Sequence, residues 1–355
     1  MMTPYLPILL LIVGCSSGIV GVETNTQSNT NTNITTDSET ETDSDTGSVT
    51  HSDTDTGGDT GKVVETGVFT PTFDCGTIPE PPFTATRLNA PRGYNDLVFD
   101  ADGAMIGSDN NSLIKATSPD DSEVFAPSIG RIYKMGYLPS GDIVATTSDR
   151  SIISITPDGT RSVLVGDFNG YGIAVGSDGM IYAGTNYNSP KPEIIRVDPA
   201  SGKKTQLIDA TDFAPRGLEF SHDYSTLYFG TTNNGHVYRV PLDKKLNPTD
   251  DPELLITMPT SWHDTVEVDA CGNLYIGTFF GHQIYRVNTD LSVTQILAWN
   301  FDNYGHGFEW GSVVGGWDDH SIYVTHPYVG TWVDQIELGV PGRQWSGEVI
   351  GRVTL

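Results

Sequence analysis

Six stretches of this 355-residue chain repeat one phrase, and any fold it adopts must accommodate all six. They are Asn95-Asp-Leu-Val-Phe-Asp-Ala-Asp-Gly103, Tyr133-Lys-Met-Gly-Tyr-Leu-Pro-Ser-Gly141, Tyr171-Gly-Ile-Ala-Val-Gly-Ser-Asp-Gly179, Arg216-Gly-Leu-Glu-Phe-Ser-His-Asp223, Asp264-Thr-Val-Glu-Val-Asp-Ala-Cys-Gly272 and His306-Gly-Phe-Glu-Trp-Gly311. Each runs into a second apolar stretch, such as Met180-Ile-Tyr-Ala-Gly184 or Leu274-Tyr-Ile-Gly277, and then a third, such as Glu193-Ile-Ile-Arg-Val197 or Gln283-Ile-Tyr-Arg-Val287. Short β-branched and aromatic runs closed by Asp-Gly and Ser-Gly turns read as strands, and no helical period of useful length competes with them. Successive copies lie 38 to 48 residues apart, the length of one propeller blade. The expected fold is therefore all-β: a six-bladed β-propeller of four-stranded antiparallel blades over residues 69–355, the first strand of each blade nearest the axis. Closing the ring removes its long unpaired edge. The closing strand is expected from residues 83–88 or, in competition, from residues 348–353. A glycine-rich and acidic insertion at 311–320 makes the sixth copy the least regular.

Residues 1–15 read as an export signal. Leu6 to Val13 is too short to span a bilayer and ends at small residues. Ile12-Val13-Gly14-Cys15 resembles the lipobox of bacterial lipoproteins, although no Lys or Arg precedes the apolar run. That resemblance implies a lipidated Cys15 as a membrane anchor and, with Ser16 following it, an outer-membrane location in the cell envelope. Residues 16–68 are Thr, Asp, Ser, Asn and Gly with few aliphatic side chains, a composition that cannot bury enough apolar surface to offset ordering entropy. Such a tether reaches roughly 40 Å as flexible coil. Ten of the chain's 45 acidic residues and one of its 19 basic ones lie in it, so the rest holds 35 and 18. A folded part so acidic is a poor partner for nucleic acid. With Cys15 acylated, Cys75 and Cys271 are left as an even pair in an oxidising compartment, expected to form a disulfide that pins the N-terminal segment against the fifth blade; two buried thiols are the alternative.

The repeat sets one residue per blade at the channel mouth: Asn95, Tyr133, Tyr171, Arg216, Asp264 and His306. Strand starts at one end of a propeller channel commonly hold ligands. Blades five, six and one are neighbours in a closed ring, so Asp264, His306 and Asn95 can be read as ligands for one divalent cation, Ca²⁺ or Zn²⁺. The competing reading is an ion pair between Asp264 and Arg216 from blade four. Trp262 and Tyr304 each stand two residues before a mouth position and are expected to face a ligand. Glu219, Glu267 and Glu309 share one template position in consecutive blades, where they should meet water, a cation or arginines. All six tryptophans, at 262, 299, 310, 317, 332 and 345, fall in the last two blades. They suit flat or sugar-like ligands or protein partners, or simply packing between blades. His263 should point away from the face that carries Asp264. No Gly-x-Ser-x-Gly elbow, paired CxxC, His-Glu-x-x-His or phosphate loop is present.

Across residues 85–340 the recurring phrases, above all Asp264-Thr-Val-Glu-Val-Asp-Ala-Cys-Gly-Asn-Leu-Tyr-Ile276, resemble the regucalcin and gluconolactonase family, with a looser likeness to NHL-repeat propellers. The resemblance implies a divalent metal in the channel mouth that polarises a lactone carbonyl and activates water. Its ligands would be an early-blade Glu, middle-blade Asn residues and a late-blade Asp. Asp264 matches that aspartate. Arg216 stands where a metal-binding Asn introduces the Gly-Leu pair, Tyr171 stands where another Asn belongs, and Asn95 replaces the Glu. The leading expectation is thus a monomeric cell-envelope lipoprotein whose propeller binds a small molecule, glycan or protein at its mouth. The alternative is a metal-dependent hydrolase of a lactone or similar ester, with Asp264, His306 and Asn95 as ligands.

Overall fold

The computed structural model describes residues 73–210, 213–300, 305–312 and 314–343. The segments read as an export signal and a tether, with Cys15, and Tyr304, Trp345 and residues 348–353 lie outside them. Six four-stranded antiparallel sheets follow one another along the chain, each with its strands in meander order. The innermost strands are Leu97–Phe99, Ile132–Tyr137, Gly170–Val175, Pro215–Phe220, His263–Val268 and Phe308–Trp310. The all-β, six-bladed expectation is what the chain folds into.

The core consists of wedges between neighbouring blades. Val98, Ile106 and Leu113 of blade one pack on Met135, Ile143 and Ile153 of blade two, and the same contact recurs around the ring to Leu97 and Met105 against Tyr323 and Val333. A middle strand is covered on both faces, so Ile143–Thr147, Ile181–Thr185, Leu274–Thr278 and Ser321–Thr325 are buried at every position. That is why the sequence shows continuous apolar runs there and no alternation. The inner strands approach so closely that a Cβ on Gly172 would strike the Arg216 carbonyl, and one on Gly307 the carbonyl of Asn95. The turn after the first strand puts Gly103, Gly141, Gly179 and Gly272 at φ of 81°, 92°, 71° and 82°, a region open to glycine at little cost.

Ala85–Arg92 closes the ring as the outermost strand of blade six, with Ala85 opposite Ile336 and Arg87 opposite Asp334. The N-terminal choice is the one realised; the competing strand lies outside the described residues. Cys75 and Cys271 are joined, their Cα atoms 5.6 Å apart, which ties the entry segment to the turn of blade five. Arg286 of that blade adds a second tie through Glu80 at 2.5 Å and the Pro79 carbonyl at 3.0 Å. The insertion at 311–320 is packed: Trp317 is buried against Phe99 and Tyr323, between blades six and one. Trp310 is likewise buried, edge-on to Tyr275. No helix among the described residues is long and apolar enough to cross a membrane.

Candidate functional site

The six template positions do gather at one end of the channel, linked as a network. Arg216 pairs with Asp264 through Nε and Oδ1, both side chains buried. His306 Nε2 lies 2.5 Å from the other carboxylate oxygen and 3.3 Å from the Tyr171 hydroxyl, while Nδ1 is 3.1 Å from the Asn95 carbonyl. Burial alone opposes ionisation of Asp264, but the Arg216 guanidinium and the His306 imidazole more than offset it and hold the carboxyl down at about 2. Burial and the Asp264 charge push the Tyr171 hydroxyl in the other direction, well above its ordinary value.

Around this floor runs a rim of alternating rings and guanidinium groups. Tyr133 stacks on Tyr171 at 5.2 Å. Arg216 lies 3.6 Å over the Tyr171 ring and 4.7 Å from that of Trp262. Trp262 meets Phe279 at 5.7 Å and Phe280 at 4.6 Å, Phe279 reaches Tyr328 at 6.3 Å, and Tyr328 accepts a 2.5 Å hydrogen bond from Arg131. Arg131 also lies 5.6 Å from the Tyr133 ring, which completes the circuit. Trp262 holds φ +62°, a left-handed conformation that bulky residues seldom adopt; its N–H donates to Thr232 and its carbonyl accepts from Phe279. Trp262 stands beside Arg216, and Tyr304 falls outside the described residues. His263 points away from the site, buried against the carbonyls of Thr260 and His236.

The donor atoms of the three candidate metal ligands are turned to other partners. Asn95 turns its amide into blade two, where Nδ2 donates to the Ile132 carbonyl at 2.6 Å, so only its backbone meets His306. Both oxygens of Asp264 face nitrogen, and a fixed guanidinium fills the place of a cation. The ion pair is the reading realised. The residues present do not fit a divalent metal at this mouth. One turn elsewhere, Asp318-Asp319-His320, brings three ligating side chains together, though His320 Nδ1 is already 2.7 Å from Asp319.

Deeper in the channel stand charges that sequence reasoning passed over. Lys134 of blade two reaches Asp96 of blade one at 2.7 Å and Thr265 of blade five at 3.0 Å. Burial disfavours its ammonium, but Asp96 and Glu267 more than compensate and raise its pKa. At the far end Glu219 pairs with Arg343 at 2.6 Å, one of the three kinds of partner (water, cation or arginine) expected for its template position. Burial, with Glu309 and Glu219 nearby, raises Glu267 well above the usual range; burial and Glu219 bring Glu309 up to about 8. Asp96 and Lys134 directly follow mouth positions where three other blades carry Gly172, Gly217 and Gly307, a contrast visible in the repeat. A crevice lined by Asp100, Lys115, Tyr137 and Pro157 also opens between blades one and two, away from these groups.

Residues 111–304, more than half of the chain, match the family described as the SMP-30/Gluconolactonase/LRE-like region. The chain belongs to this family. Among solved structures it is similar to a gluconolactonase of Xanthomonas campestris, 15% identical over 74% of this chain and 99% of that one, TM-score 0.58. A calcium-binding regucalcin of Agrobacterium tumefaciens is 18% identical over 74% and 96%, TM-score 0.59. A virginiamycin B lyase of Staphylococcus aureus is 14% identical over 72% and 99%, TM-score 0.51. At such identities the likeness is one of fold. No curated protein matches the chain by sequence. Within the family, this member carries an arginine and a tyrosine at the mouth positions where the resemblance implies asparagines.

Proposed function

We propose that this member of the family is a binding module of the bacterial cell envelope, anchored through a lipidated Cys15, which takes a ligand at the channel mouth without a catalytic metal. One observation carries the mouth assignment: the buried Arg216 guanidinium is paired with Asp264, at a position where the family resemblance implies a metal-binding Asn. A cation brought to Asp264 would meet that fixed positive charge at short range, in surroundings that screen it poorly. The rim around it offers ring faces and few free polar groups, which suits recognition more than hydrolysis.

The second reading, a metal-dependent lactonase, is favoured by the family itself and by the aspartate at 264. Calorimetric titration of the full chain with Ca²⁺ and Zn²⁺, together with a gluconolactone hydrolysis assay, separates the two. Binding-module function predicts no stoichiometric uptake that depends on Asp264 and no hydrolysis above the rate in water. Stoichiometric uptake abolished in Asp264→Ala, accompanied by turnover, would establish the hydrolase instead. For the anchor, radiolabelled palmitate should enter the wild-type chain and not Cys15→Ser; equal labelling of both would refute it.

A further inference from the structure

Resting on the mouth as the ligand site, we infer that the ligand class is a carboxylate carried on a flat ring, and that Arg131 is its counter-charge. Ten arginines are described, and eight of them pair with a carboxylate: 87, 150, 161, 196, 216, 239, 286 and 343. Arg92 donates instead to the backbone carbonyls of Asn89 and Pro91. Arg131 has neither kind of partner among the described residues. In a chain with 45 acidic residues against 19 basic ones, an arginine left without an acid at the rim of the site is selective placement.

The guanidinium is held ready. Nη2 donates to the Tyr328 hydroxyl at 2.5 Å, and the rings of Tyr94, Tyr133 and Tyr328 surround the carbon at 5.1, 5.6 and 5.5 Å. Nε is buried with no acceptor, and Nη1 makes no hydrogen bond among the described residues. Five N–H donors in a rigid fork are thus mostly unspent. A carboxylate meeting both Nη atoms end-on is the planar acceptor that the fork matches.

The rest of the rim sets the remainder of the ligand. Tyr187 and Phe280 expose 49% and 58% of their surface, large apolar faces beside Trp262. A polyhydroxylated ligand would need spare acceptors here. Asp264 is spent on Arg216 and His306, and Asn186 Oδ1 accepts from the Tyr187 N–H and lies 3.4 Å from Arg216. Flat rings stack on such faces without asking for hydrogen bonds.

Calorimetry on the full chain with 2-naphthoate, 2-naphthamide and gluconate tests this. The charged contact predicts that naphthoate binds at least about tenfold more tightly than naphthamide, that gluconate is weaker than both, and that Arg131→Gln erases the naphthoate preference while naphthamide still binds. Equal affinities for acid and amide, a preference that survives Arg131→Gln, or a preference for gluconate would each overturn the inference and leave the mouth as a binding site. Absence of binding by all three would overturn the mouth reading itself. Thermal unfolding of Arg131→Gln controls for misfolding; should that variant fail to fold, Arg131→Lys, which keeps the charge but loses the fork, must bind naphthoate more weakly than wild type.

Discussion

Asp264→Asn removes the one negative charge that holds Arg216 and His306 together at the mouth. Asp264 is fully buried, Arg216 is 5% exposed and His306 4%, so the guanidinium left behind cannot rehydrate. Breaking a buried pair on one side costs about 3–5 kcal/mol. For a domain of this size that corresponds to a fall of roughly 6–15 °C in the midpoint of thermal unfolding. The lowered Asp264 carboxyl points the same way: its drop from an ordinary 3.8 to about 2 is worth on the order of 2 kcal/mol. Because the folded pKa is depressed, that contribution is fully present above the unfolded value near 4 and disappears as pH falls through 2. The gap between wild type and Asp264→Asn should therefore be widest at neutral pH and narrow below pH 4. Arg216→Met should cost a similar amount, since it leaves a buried carboxylate facing only His306. The double variant Asp264→Asn/Arg216→Met should be more stable than the sum of the two losses predicts, by about 2 kcal/mol or more, because neither charge is then stranded. Additive losses in the double variant, or single losses below about 1 kcal/mol, would show that the pair is neither buried nor coupled in the way described.

Two further outcomes follow from other parts of the ring. Glu309 is raised to about 8 by burial and by Glu219, so the folded state holds a proton there that the unfolded chain releases near 4.5, and stability is lost as pH rises between those values. Glu309→Gln should remove that loss: the variant should match wild type near pH 5 and unfold at a higher temperature than wild type at pH 9, and an unchanged pH profile would contradict it. The disulfide spans 196 residues, a loop whose closure is worth up to about 5 kcal/mol in the chain-entropy treatment. Cys75→Ser should lower the unfolding midpoint and release the entry segment first, read as faster amide exchange in Ala85–Arg92 than in Trp332–Glu337.

How much of this was legible in the sequence differs between the fold and the site. The blade count was, because six copies of one strand-turn-strand phrase leave no other periodic solution. The closing strand was harder to read: an outermost strand is wet on one side, and Ala85–Arg92 alternates only loosely between buried and exposed residues. At the mouth the six positions came straight from the repeat, yet the waist did not. Strict alternation would point Lys134 and Thr265 away from the channel, since each follows a mouth residue. Register shifts at Ile132/Lys134 and His263/Thr265 are β-bulges that turn these side chains back inward. Bulges have no strong sequence signature, so the repeat marks Asp96 and Lys134 as departures from a glycine position without showing that Lys134 turns into the channel. Arg131 was accessible in principle, standing two residues before Tyr133 as Trp262 stands before Asp264. Arg343 was not, because it follows the last blade and belongs to no copy of the repeat.

The three charged layers also decide what kind of site the channel can be. Apolar wedges join each blade only to its neighbours, and a ring held that way tolerates an open axis. Lys134 instead connects blade two with blade five, which stand opposite each other, and so crosses the axis beneath the mouth. Arg343 and Glu219 join one another lower down. On the proposed reading, a ligand entering past Trp262 and Tyr328 meets the Arg216, Asp264 and His306 floor, with the Lys134 bridge beneath it. On that same reading, affinity at the mouth must come from the rim, from its ring faces and from Arg131, which pairs with no acid among the described residues.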